Sequence, residues 1–174
     1  MQLKTTFNSL AIMLLTGLLI GCGASPDSPE SSQANVPTGP EFLADTEPAA
    51  ALPVGDARQS SEDGQQVSLL GYIGGSTQPF VDGLAAFTLV DPKVKFCPPE
   101  EGCPTPWDYC CTQNEVKQNI ATVKLVDENG KPVAEDARQL LGVKELSLVV
   151  AEGTVKKDSE GNLSLLANRI FIKN

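Results

Sequence analysis

Five short apolar runs of β-type residues, separated by turn residues, constrain the fold of this chain most. In the third run Ala121, Val123 and Leu125 alternate with polar residues, which is the period of a strand that buries one face. Glycine, proline, asparagine and aspartate occupy the intervening turns, as in Asp91-Pro92. The predicted strands are residues 67–73, 85–90, 120–126, 146–155 and 163–172.

One short helix is predicted between the third and fourth of these strands. Residues 135–141 have helical spacing, and Gly142 can provide the C-cap. Gly153 predicts a bulge or bend in the fourth strand. This order resembles the OB-fold, and the resemblance implies a mainly β domain over residues 65–174. Its fold would be a five-stranded, partly open barrel with one short helix between strands 3 and 4.

The N-terminus has the pattern of a secretory signal. Lys4 precedes an apolar run at residues 10–20, which is too short to span a bilayer as a helix. The run ends in Leu19-Ile20-Gly21-Cys22, which resembles the lipobox of bacterial lipoproteins. The resemblance implies that residues 1–21 are a signal peptide and that Cys22 carries acyl chains such as palmitate. Gly23 lacks the charge of an inner-membrane retention signal, so we expect anchoring at the outer membrane, facing the periplasm.

Residues 22–64 predict a lipidated cysteine followed by a disordered acidic linker. From residue 23 on, the segment holds six prolines, six serines and eight acidic residues against one basic residue, Arg58. Such a composition favours an extended, self-repelling chain. The apolar residues here have no evident period, so the folded domain is expected to begin near residue 65.

Composition excludes several functions. The chain has 174 residues and no histidine, which excludes a Ser-His-Asp triad, a Cys-His pair and any histidine metal ligand. No glycine-rich phosphate loop is present, so the protein is not expected to be an enzyme. The formal net charge is −9, which argues against a nucleic-acid partner.

The unusual chemical feature is the cysteine segment, which we define as residues 97–111. It reads CPPEEGCPTPWDYCC and holds the four cysteines Cys97, Cys103, Cys110 and Cys111. Export would place them in an oxidising compartment, so structural disulfides are expected. A bond between the adjacent Cys110 and Cys111 would be strained. The favoured pairings therefore link Cys97 and Cys103 to Cys110 and Cys111, in either order.

Two alternatives to disulfides stay open for this segment. Four thiolates could hold zinc or an iron–sulfur cluster, although five and six intervening residues do not match the usual C-x₂₋₄-C spacing. A redox-active thiol pair is the other alternative. The acids Glu100, Glu101 and Asp108 could also ligate a cation, but the sequence does not fix their geometry. The stretch CPTPWDYCC resembles a segment of bacterial lipoproteins without an assigned activity, so it implies no mechanism.

Aromatic residues are the remaining candidates for binding. Trp107 and Tyr109 lie in the cysteine segment and could form a rigid binding rim, or pack over the sulfurs. Tyr72 and Phe87 lie on strands whose OB-fold counterparts stack on ligands, or they pack in the core.

The sequence therefore predicts a lipid-anchored, non-enzymatic binding module of the cell envelope, without a cofactor. Its partners would be the membrane, through the anchor, and an envelope protein or glycan. The alternative is a thiolate metal-binding or redox protein that uses the four cysteines, with zinc or an iron–sulfur cluster as the cofactor.

Overall fold

A computed structural model of the chain describes residues 39–173. The predicted signal peptide, the lipidation site Cys22 and residues 22–38 of the predicted linker lie outside the described residues. No helix among residues 39–173 is both long enough and apolar enough to cross a membrane.

The described residues form a mainly β structure of six hydrogen-bonded strands. Five of these strands close a ring, in the order β2-β3-β4-β6-β5 and back from β5 to β2, while the two-residue β1 pairs with β2 outside the ring. The pairs are antiparallel except β1–β2 and β4–β6. The strands are β1 Leu52–Pro53, β2 Gln66–Ile73, β3 Ala86–Val90, β4 Ile120–Leu125, β5 Leu148–Lys157 and β6 Leu163–Ile172.

The ring strands confirm the mainly β prediction and follow the predicted segments closely. The largest shift is at β5, which begins at Leu148 instead of residue 146, because Leu146 has a positive φ of 59° that ends extended pairing. The apolar face predicted for β4 is confirmed, since Ala121, Val123 and Leu125 are buried.

Glycine shapes β5 as the sequence predicts. The register of β5 against β6 shifts between Glu152 and Gly153, which confirms the bulge. A Cβ at Gly153 would lie 2.1 Å from the carbonyl oxygen of Leu166, so only glycine fits this approach.

Residues 39–173 contain four short α-helices, of which the predicted helix is the last. They are α1 Gly39–Phe42, α2 Val54–Ser60, α3 Gln113–Val116 and α4 Ala137–Leu141. Asp136 caps α4 by accepting from the amide of Arg138, and Gly142 ends it in the left-handed conformation.

Residues 39–64 differ from the predicted disordered linker, because they carry α1, β1 and α2. Phe42, Val54 and Ala57 are buried in the main hydrophobic core, and Leu52 packs against it. The average composition of the segment is polar, but these few apolar side chains join the main core. The folded part therefore begins before residue 65.

A buried carboxylate holds α2 against the end of β3. Asp91 is 1% exposed, and its Oδ2 accepts from the amide of Gly55 at 2.6 Å while its Oδ1 accepts from the amide of Lys93. The contact supplies an acceptor for an amide in the first turn of α2, which the helix itself leaves unpaired.

Two separate hydrophobic cores lie on the ring. The main core is lined by the ring strands, α2 and α4, and its largest fully buried ring is Phe87. The small core lies beneath the cysteine segment and comprises Val90, Val94, Tyr109 and Val116, with Phe96 and Ile120 packed against it. The cysteine segment thus rests on only a few apolar side chains.

Candidate functional site

The cysteine segment is built from tight turns between β3 and β4. Two 3-10 turns, Pro99–Glu101 and Pro106–Asp108, each begin at a proline, whose fixed φ suits the first position of a helical turn. Tyr109 then adopts the left-handed conformation at φ 57°. This reversal brings Cys110 and Cys111 back over Cys97.

Close backbone contacts attach the segment to the connection between β2 and β3. The amide of Gly75 donates to the carbonyl oxygen of Trp107 at 2.8 Å, and the Trp107 indole N–H donates to the carbonyl oxygen of Thr77 at 3.2 Å. A Cβ at Gly74 would lie 2.7 Å from the same Trp107 oxygen, so a glycine is needed for this approach. The segment is therefore fixed to the sheet at its middle.

The four sulfur atoms converge on one place. Cys110 Sγ lies 3.2 Å from Cys97 Sγ, 3.6 Å from Cys103 Sγ and 3.8 Å from Cys111 Sγ, and Cys97 Sγ lies 3.7 Å from Cys111 Sγ. The four cysteines of the described residues are free thiols in this structure. Disulfide formation therefore stays a prediction, although both favoured partners of Cys97 lie near it.

Carboxylates extend the sulfur cluster into two potential ligand sets that share Cys97. The first set is Cys97, Cys103, Asp108 and Cys110, and its ligand atoms all lie within 4.8 Å of one another. The second set is Cys97, Glu101 and Cys111, within the same limit. Each set combines soft thiols with one harder oxygen ligand.

Two hydrogen bonds fix the carboxylate of Asp108. Its Oδ2 accepts from the Thr105 hydroxyl at 2.7 Å, and its Oδ1 accepts from the Cys110 amide at 2.8 Å. These bonds orient the side chain and still leave lone pairs for a metal ion.

The thiols differ in acidity because they hydrogen-bond to one another. A hydrogen bond from the Cys111 backbone amide, helped by the Cys110 side chain, lowers the pKa of Cys97. Hydrogen bonding with the Cys97 side chain raises the pKa of Cys110 and that of Cys111. The lowered pKa of Cys97 and the raised pKa values of Cys110 and Cys111 mean that Cys97 ionises more readily than either of these two neighbours.

The four predicted aromatic residues fall in different places. Phe87 and Tyr109 are fully buried, in the main core and the small core respectively. For Phe87 this burial agrees with the core-packing alternative that the sequence left open, whereas the alternative for Tyr109 was packing over the sulfurs. Tyr72 is half-buried with its ring edge-on to Phe96, and Trp107 is half-buried at the cysteine segment.

Sequence reasoning singled out all four cysteines but not how the acids join them. Asp108 and Glu101 enter the ligand sets, whereas Glu100 does not. The spacing of Thr105 and Asp108, followed by the amide of Cys110, is the pattern of a side-chain-stabilised turn and was the available signal.

No protein-family model matches the chain, and no curated protein is significantly similar to it. The site must therefore be interpreted from its own geometry.

Proposed function

We propose that this protein binds a zinc-class divalent metal ion at the cysteine segment. The ligands are the thiolates of Cys97, Cys103 and Cys110 together with the carboxylate of Asp108. The observation that carries the proposal is the convergence of these four ligand atoms within 4.8 Å of one another. Three soft sulfurs and one oxygen would supply the four ligands of a tetrahedral zinc site, and zinc accepts both kinds of ligand.

The sulfur spacing favours a shared ion over separate disulfides. Zinc–sulfur bonds of about 2.3 Å place the sulfurs of a tetrahedral site about 3.8 Å apart. Cys110 Sγ lies 3.2 Å from Cys97 Sγ and 3.6 Å from Cys103 Sγ, the two other sulfurs of the proposed site, so two co-ligands lie at comparable distances near this spacing. A disulfide instead selects one partner at about 2.05 Å.

The ion would act as a cross-link for a segment that has little core of its own. It would join the start of the segment at Cys97 to its middle at Cys103 and its end at Cys110. Because a metal binds the folded arrangement of ligands and not the unfolded chain, its binding free energy would stabilise this arrangement. The role is binding rather than catalysis.

The finer description of the domain is part of the same proposal. We infer an OB-like barrel, supported by the closed ring of five strands and by α4 between the third and fourth of them. The cysteine segment would then be an insertion between the second and third barrel strands. An OB-like fold does not itself assign a ligand.

We also propose that the protein is anchored to the cell envelope through Cys22. The support is the lipobox-like Leu19-Ile20-Gly21-Cys22 after a short apolar run. Substituting Cys22→Ala is expected to remove the protein from the membrane fraction. Retention of this variant in that fraction, resistant to high salt, would contradict the anchor.

Metal content and thiol count test the metal site directly. The full chain is purified without oxygen in the presence of a phosphine reductant, and zinc is measured per chain together with free thiols. We expect at least one tightly bound zinc per chain, and its loss in Cys103→Ser. Cys22→Ala is the matched control, because it removes a cysteine outside the site and should leave zinc binding unchanged. No bound zinc, even after loading with excess zinc under the same reducing conditions, would overturn the proposal.

A further inference from the structure

The cysteine segment offers more metal ligands than one ion can use. Around Cys97, the first set is completed by Cys103, Asp108 and Cys110, which leaves Cys111 and Glu101 unassigned. These two lie next to each other, with the Cys111 thiol donating to Glu101 Oε2 at 3.6 Å. Cys111 Sγ is also 3.7 Å from Cys97 Sγ.

We propose that the segment holds a second zinc-class ion, bound by Cys97, Glu101 and Cys111, and that the Cys97 thiolate bridges the two ions. This inference rests on the proposed function, because the bridge needs the first ion in place. Three protein ligands leave one position of a tetrahedral second site for water.

Charge favours the second ion. Four thiolates and two carboxylates carry a formal charge of −6 when all are ionised, so one divalent ion leaves −4 and two leave −2. Among residues 39–173 no lysine or arginine forms an ion pair with Glu101 or Asp108. A second cation would therefore supply compensation that the described side chains do not.

Cys97 has the position that a bridging ligand requires. It belongs to both ligand sets, its sulfur lies 3.2 Å from that of Cys110 in the first set and 3.7 Å from that of Cys111 in the second, and it is 2% exposed. A thiolate sulfur has three lone pairs, enough for two metal bonds. Cys110, in the first ligand set, and Cys111, in the second, are both exposed, so both ions can enter from solvent.

Binding of the second ion exchanges a proton for a metal bond and involves no oxidation. The Cys111 S–H bond breaks, its proton passes to solvent, and the sulfur electron pair forms the metal–sulfur bond. Glu101 contributes a carboxylate lone pair. Each metal ion keeps its 2+ charge throughout.

Stoichiometry separates this inference from the proposed function. The reduced, metal-free full chain is titrated with Co²⁺, and thiolate charge-transfer absorption is followed to saturation. We expect two equivalents for the wild type and one for Cys111→Ser. Because two Co²⁺ ions bridged by one thiolate couple magnetically, the EPR intensity per cobalt should fall as the second equivalent binds.

Paired glutamate variants provide the matched control. Glu101→Gln should weaken binding of the second equivalent at least tenfold and leave the first unchanged. Glu100→Gln, at the adjacent glutamate outside both ligand sets, should leave both unchanged. Circular dichroism of each metal-free variant checks that the sheet is folded.

The outcomes are distinguishable. A single equivalent in the wild type overturns the second site and leaves the first. One equivalent in the wild type and none in Cys111→Ser would mean a single site that uses all four sulfurs, which also overturns the second site. Two equivalents that persist in Cys111→Ser, or that show full EPR intensity, overturn the bridged arrangement. No cobalt binding overturns both proposals.

Discussion

The ring of strands and the cysteine segment are stabilised in different ways. The ring strands line a continuous core in which Phe87, Leu69 and Leu165 have no exposed surface. The cysteine segment has two 3-10 turns, a small core and a set of polar contacts to its neighbours. Buried apolar area can account for the order of the ring, whereas the segment must draw more of its order from side-chain hydrogen bonds and, on our proposal, from a bound metal ion.

This difference indicates that the cysteine segment can change its conformation without destabilising the main core. The segment contacts the ring through the small core and through the backbone bond from the Gly75 amide to the Trp107 carbonyl oxygen. A change in its ligand state can therefore reorganise it while the main core stays intact. Regions of low local stability are where ligand-dependent order is usually found.

The largest expected effect comes from truncating one aromatic side chain in each core, which tests whether the ring and the cysteine segment differ in stability. Phe87→Ala should lower the free energy of unfolding by about 3–5 kcal/mol, because it leaves a cavity in the closed ring. Phe96→Ala, at a half-buried ring in the small core, should cost less than half as much. Urea unfolding of the metal-free variants measures both, and equal losses would contradict the division into a dominant and a minor core.

The second-largest expected effect is the pH dependence of metal binding, which should affect the cysteine segment and not the ring. The raised pKa of Cys110, which results from its hydrogen bond with Cys97, means that its proton is still bound at neutral pH in the metal-free protein. Metal displaces this proton, so affinity must fall as pH falls. We expect at least a tenfold loss of zinc affinity per pH unit between pH 8 and 6, measured by competition with a chromogenic chelator.

The ring should not respond over the same pH range. Hydrogen bonds from the Lys157 amide and from the Asn162 side chain lower the pKa of Asp63 and that of Asp158, respectively. Both carboxylates therefore stay ionised above pH 6, and their stabilising contribution is lost only on acidification below the ordinary range near 4. Metal-free protein should show the same urea midpoint at pH 8 and 6, and a large shift would mean that the segment and the ring unfold together.

Sequence predicted the ring well because its signals are local. Strand β6 matches its predicted bounds, and α4 carries both of its caps in its own neighbours, Asp136 and Gly142. The bulge at Gly153 was visible as a glycine within an apolar run. Period and turn chemistry act within a few residues, so they can be recognised without knowing what packs against what.

The features that the sequence did not predict depend on contacts between residues far apart in the chain. Docking of α2 requires Asp91, whose carboxylate accepts from Gly55 36 positions earlier, and no local pattern indicates that pair. The cysteine spacing did not show how closely the sulfurs approach, because spacing rules for metal sites count residues in simple loops. Here the left-handed Tyr109 reverses the chain and brings sulfurs 13 and 14 positions apart to 3.2 and 3.7 Å.

The smallest predicted effect concerns the tyrosine on which the cysteine segment turns. Tyr109 is fully buried, and among the described residues its hydroxyl finds no hydrogen-bond partner. An unpaired buried hydroxyl costs free energy, whereas its ring packs edge-on to Phe96 with centroids 6.3 Å apart. Tyr109→Phe removes the cost and keeps the packing. The variant should therefore be more stable than the wild type by up to about 1 kcal/mol at pH 7.

The stabilising effect of Tyr109→Phe should be larger at alkaline pH. Burial raises the pKa of Tyr109, so the hydroxyl stays neutral in the folded protein while it ionises in the unfolded chain above pH of about 10. The unfolded state then binds fewer protons, and wild-type stability falls as pH rises. Tyr109→Phe lacks this term, so its advantage in urea unfolding should be larger at pH 10.5 than at pH 7, with Tyr72→Phe as the control. A loss of stability in Tyr109→Phe at pH 7 would mean that the hydroxyl has a partner, such as a buried water, that holds the turn beneath the sulfurs.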